Sequence, residues 1–198
     1  IVRVVRTPFG VEPAFLEGLP RKATAGRPAR VLYAGRLQQE KSFDIVLAAL
    51  PELLAQPGVH VTVAGDGPYA GALRRIESRR LSVAGYIHDR GSLRELYRTH
   101  DVLIAPSATE TFGLATLEAM ATGIVVVGAV TGGVGDLMRQ CHSPFTFQVR
   151  SAAGLLRAAL EAVDADRAEP ATRSRLIAER YGTWADAIAR QTSVYCAL

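Results

Sequence analysis

Short apolar runs and amphipathic stretches take turns along this chain. Val31 to Ala34 is the first run. Phe43, Val46, Leu50, Leu53 and Leu54 then recur at helical spacing, which predicts a helix over 42–56. Val59 to Ala64 reads as a second strand, ending in the turn Gly65-Asp66-Gly67-Pro68. A basic helix is predicted from there to about Arg80, then a strand over 81–86 and a helix over 93–99. A strand over 102–105 is stopped by Pro106. Next come a helix over 113–122 and a β-branched run over 124–127, between Gly123 and Gly128. A helix over 134–140 and a short strand over 145–149 follow. Ser151 is placed to cap a helix over 151–163, with Leu155, Leu156, Ala159 and Leu160 on one side.

Strands that are apolar throughout, alternating with amphipathic helices, call for a parallel sheet covered on both faces. The predicted fold is therefore α/β, a Rossmann-like doubly wound sheet of about six strands over 30–165. Residues 18–29, rich in Gly, Pro, Arg and Lys, read as a linker, and 1–29 as a lead-in segment. The chain opens at Ile1, and we read it as a piece of a longer protein. Residues 166–198 read as a C-terminal helical tail. There Thr183 is placed to cap a helix carrying Trp184, Ile188, Gln191 and Tyr195 at helical spacing.

Composition narrows the field. The 198 residues are about half apolar and carry a formal charge of +4. No apolar run approaches the roughly 20 residues that span a bilayer, and nothing at the start reads as a secretion signal. A charge of +4 suits an anionic ligand or an acidic membrane face but is too small to argue for nucleic acid. Cys141 and Cys196 make no disulfide framework and read as free thiols of a reducing cytoplasm.

Ligands of such sheets sit at the carboxyl ends of the strands, and each motif here follows a predicted strand. Gly35-Arg36 follows the first strand, with Lys41 ahead of a helix. Two cations beside a helix N-terminus suit a diphosphate, although two solvated surface charges would look the same. Gly65 and Gly67 allow close backbone approach, but a plain tight turn is the better reading. Glu110 is a loop carboxylate after a strand, and Gly113 opens the next helix. Glu118 lies within that helix among Leu117, Ala119, Met120 and Ala121, where an acid needs a partner. Carboxylates accept bidentate hydrogen bonds from neighbouring hydroxyls, so the two acids suit a polyhydroxylated ligand. Gly132-Gly133-Val134-Gly135-Asp136 either lends amides to a ligand or is a flexible turn. Asp164-Ala165-Asp166 reads as a solvated helix end rather than a metal motif, and Arg74, Arg75, Arg79 and Arg80 as a solvated face. His60, His88, His100 and His142 have no ligand spacing.

Taken together, residues 31–140 resemble the C-terminal domain of GT-B glycosyltransferases, family 4, the large retaining group. The resemblance rests on Ala34-Gly35-Arg36-Leu37 with Glu40-Lys41, on Val63 to Pro68 and on Asp101 to Ser107. It rests above all on Glu110 to Gly123, which holds a glutamate pair with seven residues between. Gly10-Val11-Glu12 with Phe15 is similar to the segment that leads into this domain. Ser42 replaces the usual glycine, Val125 the usual proline, and Gly135-Asp136 the common Pro-Glu. The glycine-rich turn usual near 143–149 is lacking.

The resemblance implies that 30–165 binds a nucleotide-sugar donor, GDP-mannose or a UDP-hexose, and passes the hexose to a hydroxyl acceptor with retention. Gly35, Arg36 and Lys41 would meet the diphosphate, with Gly65 and Gly67 near it. Glu110 would bind the transferred sugar as the catalytic residue, and Glu118 the ribose. Thr111, Phe112, Gly113 and Leu114 would meet sugar and phosphate, and Tyr86 and Ile87 the base. No metal or other cofactor is expected, since Arg36, Lys41 and helix amides can stabilise the departing diphosphate. The last helix would pack toward a missing N-terminal acceptor domain through an apolar patch near Trp184 and Tyr195. Without that domain the chain is expected to bind donor weakly and transfer nothing useful. The placement implied is cytoplasmic, with room for peripheral contact at the inner membrane face. The alternatives are a non-catalytic nucleotide-sugar-binding module or a GT-B relative such as an epimerase. A phosphorylase would need a pyridoxal lysine, and neither Lys22 nor Lys41 has a suitable setting.

Overall fold

A computed structural model describes residues 5, 7–18 and 28–196. Most of the 18–29 linker lies outside the described residues. Six strands run parallel: β1 (Ala29–Ala34), β2 (Val59–Ala64), β3 (Leu81–Gly85), β4 (Val102–Ala105), β5 (Val125–Ala129) and β6 (Thr146–Phe147). Their order across the sheet is β3-β2-β1-β4-β5-β6. The chain thus winds outward one way from β1, then crosses back to begin β4 on its other side. That reversal opens a crevice at the carboxyl ends of β1 and β4. The fold is the Rossmann-like α/β sheet read from the sequence.

Alternation within the strands divides the core. Val31, Tyr33, Val61, Val63, Ile104 and Val127 face α2 (Phe43–Ala55) and α7 (Ala152–Asp164). Leu32, Leu103, Ala105 and Val126 face the opposite layer. That layer holds α1 (Pro13–Leu16), α4 (Arg90–Thr99), α5 (Leu114–Ala121), α6 (Gly132–Gln140) and α8 (Ala168–Tyr181). The buried side chains include Phe15, Tyr97, Leu117, Met120 and Ile177. Burying such side chains stabilises by roughly 1.5–3 kcal/mol each. The last helix, α9 (Trp184–Cys196), buries Ala187 and leaves Ile188 and Tyr195 exposed, while Trp184 rests on Phe9 at 5.4 Å between centroids. No helix among the described residues is long and apolar enough to cross a membrane.

Several boundaries differ from the predicted ones, each for a local reason. The basic helix is only α3 (Ala70–Arg74). Beyond it Ile76 turns into the core, and Arg80 donates to the carbonyls of Leu54 and Gln56 at 3.0 Å each. Arg80 therefore caps the end of α2, where cations complement the helix dipole. The helix predicted over 93–99 begins at Arg90, because Asp89 accepts the Ser92 amide at 2.6 Å. The predicted strand over 145–149 shrinks to Thr146–Phe147, followed by Arg150 at positive φ. The helix predicted from 134 starts at Gly132. Ser151 does cap α7, accepting the Gly154 amide at 2.9 Å. Asp166, just ahead of α8, accepts the Ala168 amide at 3.0 Å.

Two departures from the family wording find explanations. Val125 donates its amide to the Asp101 carbonyl at 3.2 Å, a ladder bond that a proline could not make. Ser42 sits at φ 54, ψ 34, the left-handed region where glycine costs nothing. Ser42→Gly should therefore raise stability by up to about 1 kcal/mol, seen as a thermal midpoint higher by about 2–4 °C. A lower midpoint would count against this account.

Candidate functional site

The crevice between β1 and β4 gathers side chains from distant parts of the chain. Lys41, on a short 3-10 turn (Gln39–Lys41), places Nζ 2.5 Å from Glu110 Oε2. Both side chains are about a quarter exposed. The loop after β4 fastens this turn, because Thr109 Oγ1 donates to the Glu40 carbonyl at 3.0 Å and Ser107 Oγ at 3.5 Å. Tyr33, Gly35, Lys41, Ser107, Glu110 and Thr116 line one hollow. Tyr33 Oη donates to the Arg36 carbonyl at 2.8 Å. Burial pushes the Tyr33 phenol far above its ordinary range, with Arg36 opposing and Glu110 adding to the shift. The exposed Arg36 side chain has no ion-pair partner among the described residues.

The glycines near the crevice serve backbone packing. A Cβ on Gly65 would lie 1.8 Å from the Gly35 carbonyl oxygen, and one on Gly67 2.6 Å from that of Leu37. The two loops are also stitched by Leu37 N–H to Asp66 O at 2.9 Å and Tyr69 N–H to Leu37 O at 3.1 Å. Gly65 and Gly67 thus let the β2 loop buttress the β1 loop that carries Arg36. Gly71, by contrast, has no atom within 4 Å of an added Cβ.

The glutamate loop is braced from below by α6. Gly113 caps α5 at φ 83, leaving the first amides of that helix unpaired within it. Gly133 donates its amide to the Glu110 carbonyl at 2.6 Å. A Cβ on Gly133 would meet the Phe112 backbone at 2.3 Å. The Gly132-Gly133 pair is thus a seat for the glutamate loop, a role that sequence reading left open. The Phe112 ring meets Phe9 at 5.1 Å and Tyr181 at 5.6 Å, both edge-on. Thr111 is exposed beside it.

Glu118 has a partner that sequence reading missed. Its side chain is 4% exposed and is paired with Arg90, the first residue of α4. Arg90 also places Nε 2.7 Å from Glu12 Oε1 and lies over the Phe15 ring at 4.9 Å. Burial raises the Glu118 carboxyl above its ordinary range, and Arg90 pulls it partly back. The sequence signal that could have found Arg90 is the spacing of Asp89 and Ser92, which form the cap of α4. Next to it, exposed Tyr86 stacks edge-on with His88 at 4.5 Å, and Ile87 packs on the α4–α5 layer. The structure therefore brings Lys41 and Glu110 into contact, with Arg36 one loop turn away. Glu118 lies on the α4-facing side of α5, beside the loop after β3.

Cation, carboxylate and unpaired helix amides around one switch-point crevice suit an anionic, hydroxyl-rich ligand. The glycogen synthase of Mycobacterium tuberculosis is 32% identical over 188 residues, covering 90% of this chain and 44% of that protein. The chain thus spans less than half the length of this relative. The C-terminal domain of a group 1 glycosyl transferase from Francisella tularensis superposes with a TM-score of 0.72 at 19% identity, covering 87% of this chain and 99% of the other. The Anabaena protein HepE, solved in complex with UDP-glucose, superposes with a TM-score of 0.71 at 20% identity, covering 88% of this chain and 50% of that one. Both likenesses are of the fold, and the first is to a glycosyl transferase C-terminal domain taken by itself. Residues 28–165 match the family described as "Glycosyl transferases group 1", so the chain that carries this crevice belongs to the group 1 glycosyl transferases.

Proposed function

We propose that this chain is the donor-binding half of a retaining hexosyltransferase of the family 4 type. It takes a UDP- or GDP-linked hexose, and the sugar passes to an acceptor hydroxyl that a second, N-terminal domain would present. The carrying observation is the Lys41–Glu110 contact at the switch point of the sheet. In this reading Arg36, Lys41 and the amides of Gly113 and Leu114 receive the diphosphate, with no metal needed. Glu110 is freed from Lys41 as the phosphate arrives and binds the hexose hydroxyls. Glu118 takes the ribose, and Tyr86 with Ile87 lies along the base. Thr111 and Phe112 border the sugar. HepE, bound to UDP-glucose on the same fold, supports a uridine donor, while the stretch Glu110 to Ala115 resembles that of mannosyltransferases using GDP-mannose.

Calorimetric titration with UDP, GDP, ADP and NAD tests this reading. One nucleoside diphosphate should bind, with or without EDTA, and NAD should not. Arg36→Ala should weaken that diphosphate about tenfold and the nucleoside alone by less than twofold, since a charge-assisted hydrogen bond is worth roughly 1.5–3 kcal/mol. Preference for NAD, or equal loss of both ligands, would overturn the assignment. The chain by itself should transfer no hexose.

A further inference from the structure

The contacts around Glu118 assign a role to Arg90. We propose that Arg90 is a positioning residue for the nucleotide: it keeps the buried Glu118 carboxylate charged and aimed at the ribose diol, and ties it to Glu12 on the lead-in segment. This rests on the reading that Glu118 takes the ribose.

A carboxylate with 4% exposure has lost most of its water, and its charged form survives only with a partner. Arg90 is the cation in contact with it among the described residues. The other groups around Glu118 cannot replace it. Glu12 repels, Tyr97 of α4 is neutral and 1% exposed, and Arg175 of α8 is committed to the carbonyls of Ala121 and Leu16 and to Glu179. Arg90 itself is held on several sides. Glu12 takes its Nε, Phe15 lies under its guanidinium plane, and Asp89 fixes the start of α4 just before it. A guanidinium held this way loses less freedom on pairing than a free lysine would. It engages Oε1 of Glu118, and Oε2 accepts no hydrogen bond from the described residues. That oxygen is the one left for a hydroxyl. Without Arg90, burial would push the Glu118 carboxyl further above its ordinary range, and its protonated form would lose much of its acceptor strength.

The test uses this chain and the tightest binder among UDP, GDP and ADP, alongside its 2′,3′-dideoxy counterpart. Both ligands are titrated from pH 6 to 9 into wild type, Arg90→Met and Arg90→Lys. Wild type should prefer the ribose form by about tenfold or more at every pH, as expected for hydrogen bonds to a charged group. In Arg90→Met the preference should fall at least fivefold at the acid end of the range and recover toward the alkaline end, because a buried carboxyl without its cation is pushed upward. The dideoxy ligand should bind all three proteins alike, and Arg90→Lys should keep most of the preference. An undiminished preference in Arg90→Met across the range overturns the proposal. So does an equal loss for both ligands, which would mark a merely structural role. If no nucleoside diphosphate binds wild type, or wild type itself shows no ribose preference, the assignment of Glu118 fails and the role of Arg90 falls with it.

Discussion

Glu118→Ala should strip the chain of most of its nucleotide affinity while leaving it folded. The carboxylate is almost fully shielded from water, so a hydroxyl bound to it meets little competition. One hydrogen bond to a charged group is worth roughly 1.5–3 kcal/mol, and two ribose hydroxyls are available, so the affinity should fall about 30-fold or more. Folding should survive for two reasons. Arg90 is 43% exposed and keeps Glu12, so no buried charge is stranded. Alanine is also the best helix former for the middle of α5. Titration with the preferred nucleoside diphosphate, paired with a thermal melt, decides the matter. Unchanged affinity with an unchanged melt sinks the assignment. The pH dependence carries a sign as well. Burial holds the folded carboxyl above its unfolded value, so this group's contribution to stability declines as pH rises through that interval. Glu118→Gln lacks that decline and should gain on wild type as pH rises past the ordinary carboxylate range.

Gly133→Ala should damage both stability and binding through a single methyl group. The added carbon would land 2.3 Å from the Phe112 carbonyl carbon and 2.5 Å from its Cα. Backbone cannot rotate aside as a side chain can. The Phe112 ring is also set between Phe9 and Tyr181, so the loop must shift as a body. Such overpacking costs about 1–3 kcal/mol, or a midpoint lower by about 3–10 °C. The shift would carry the amides of Gly113 and Leu114, which receive the diphosphate in the proposed reading, out of place, and diphosphate affinity should fall about tenfold. Gly71→Ala is the contrast: its added methyl meets nothing within 4 Å, inside α3, and should be neutral or stabilise by about 0.5–1 kcal/mol. Equal behaviour of the two variants would refute this account of the glycines.

The parts of the molecule legible in the sequence are those written in short-range pattern. Continuous runs such as 124–127 and 102–105 marked strands buried on both faces, and helical spacing from Phe43 to Leu54 marked α2. The glutamate pair and the Arg36–Lys41 turn stood out because each follows a strand. What escaped was long-range. Arg90 and Glu118 are 28 positions apart, and Arg90 and Glu12 are 78 apart, so no local window joins them. Arg80 looked like part of a solvated charge run, because its partners are carbonyls at the end of another helix. The Gly132-Gly133 seat was ambiguous, because a glycine needed for close approach and one needed for flexibility are spelled alike. The start of α4 was misplaced, because apolar periodicity begins at Leu93 while the cap sits at Asp89.

The bridge between Val11 and Thr183 has a mechanical consequence. Val11 donates to the Gly182 carbonyl at 2.9 Å and accepts from the Trp184 amide at 3.1 Å, so the chain's early and late segments are buckled together beside Phe112. Pull the two segments apart, and those two bonds bear the load first. The six-stranded ladder stays slack until the buckle opens. The glutamate loop, resting against the same aromatic contact through Phe9, would feel the tug before any strand does.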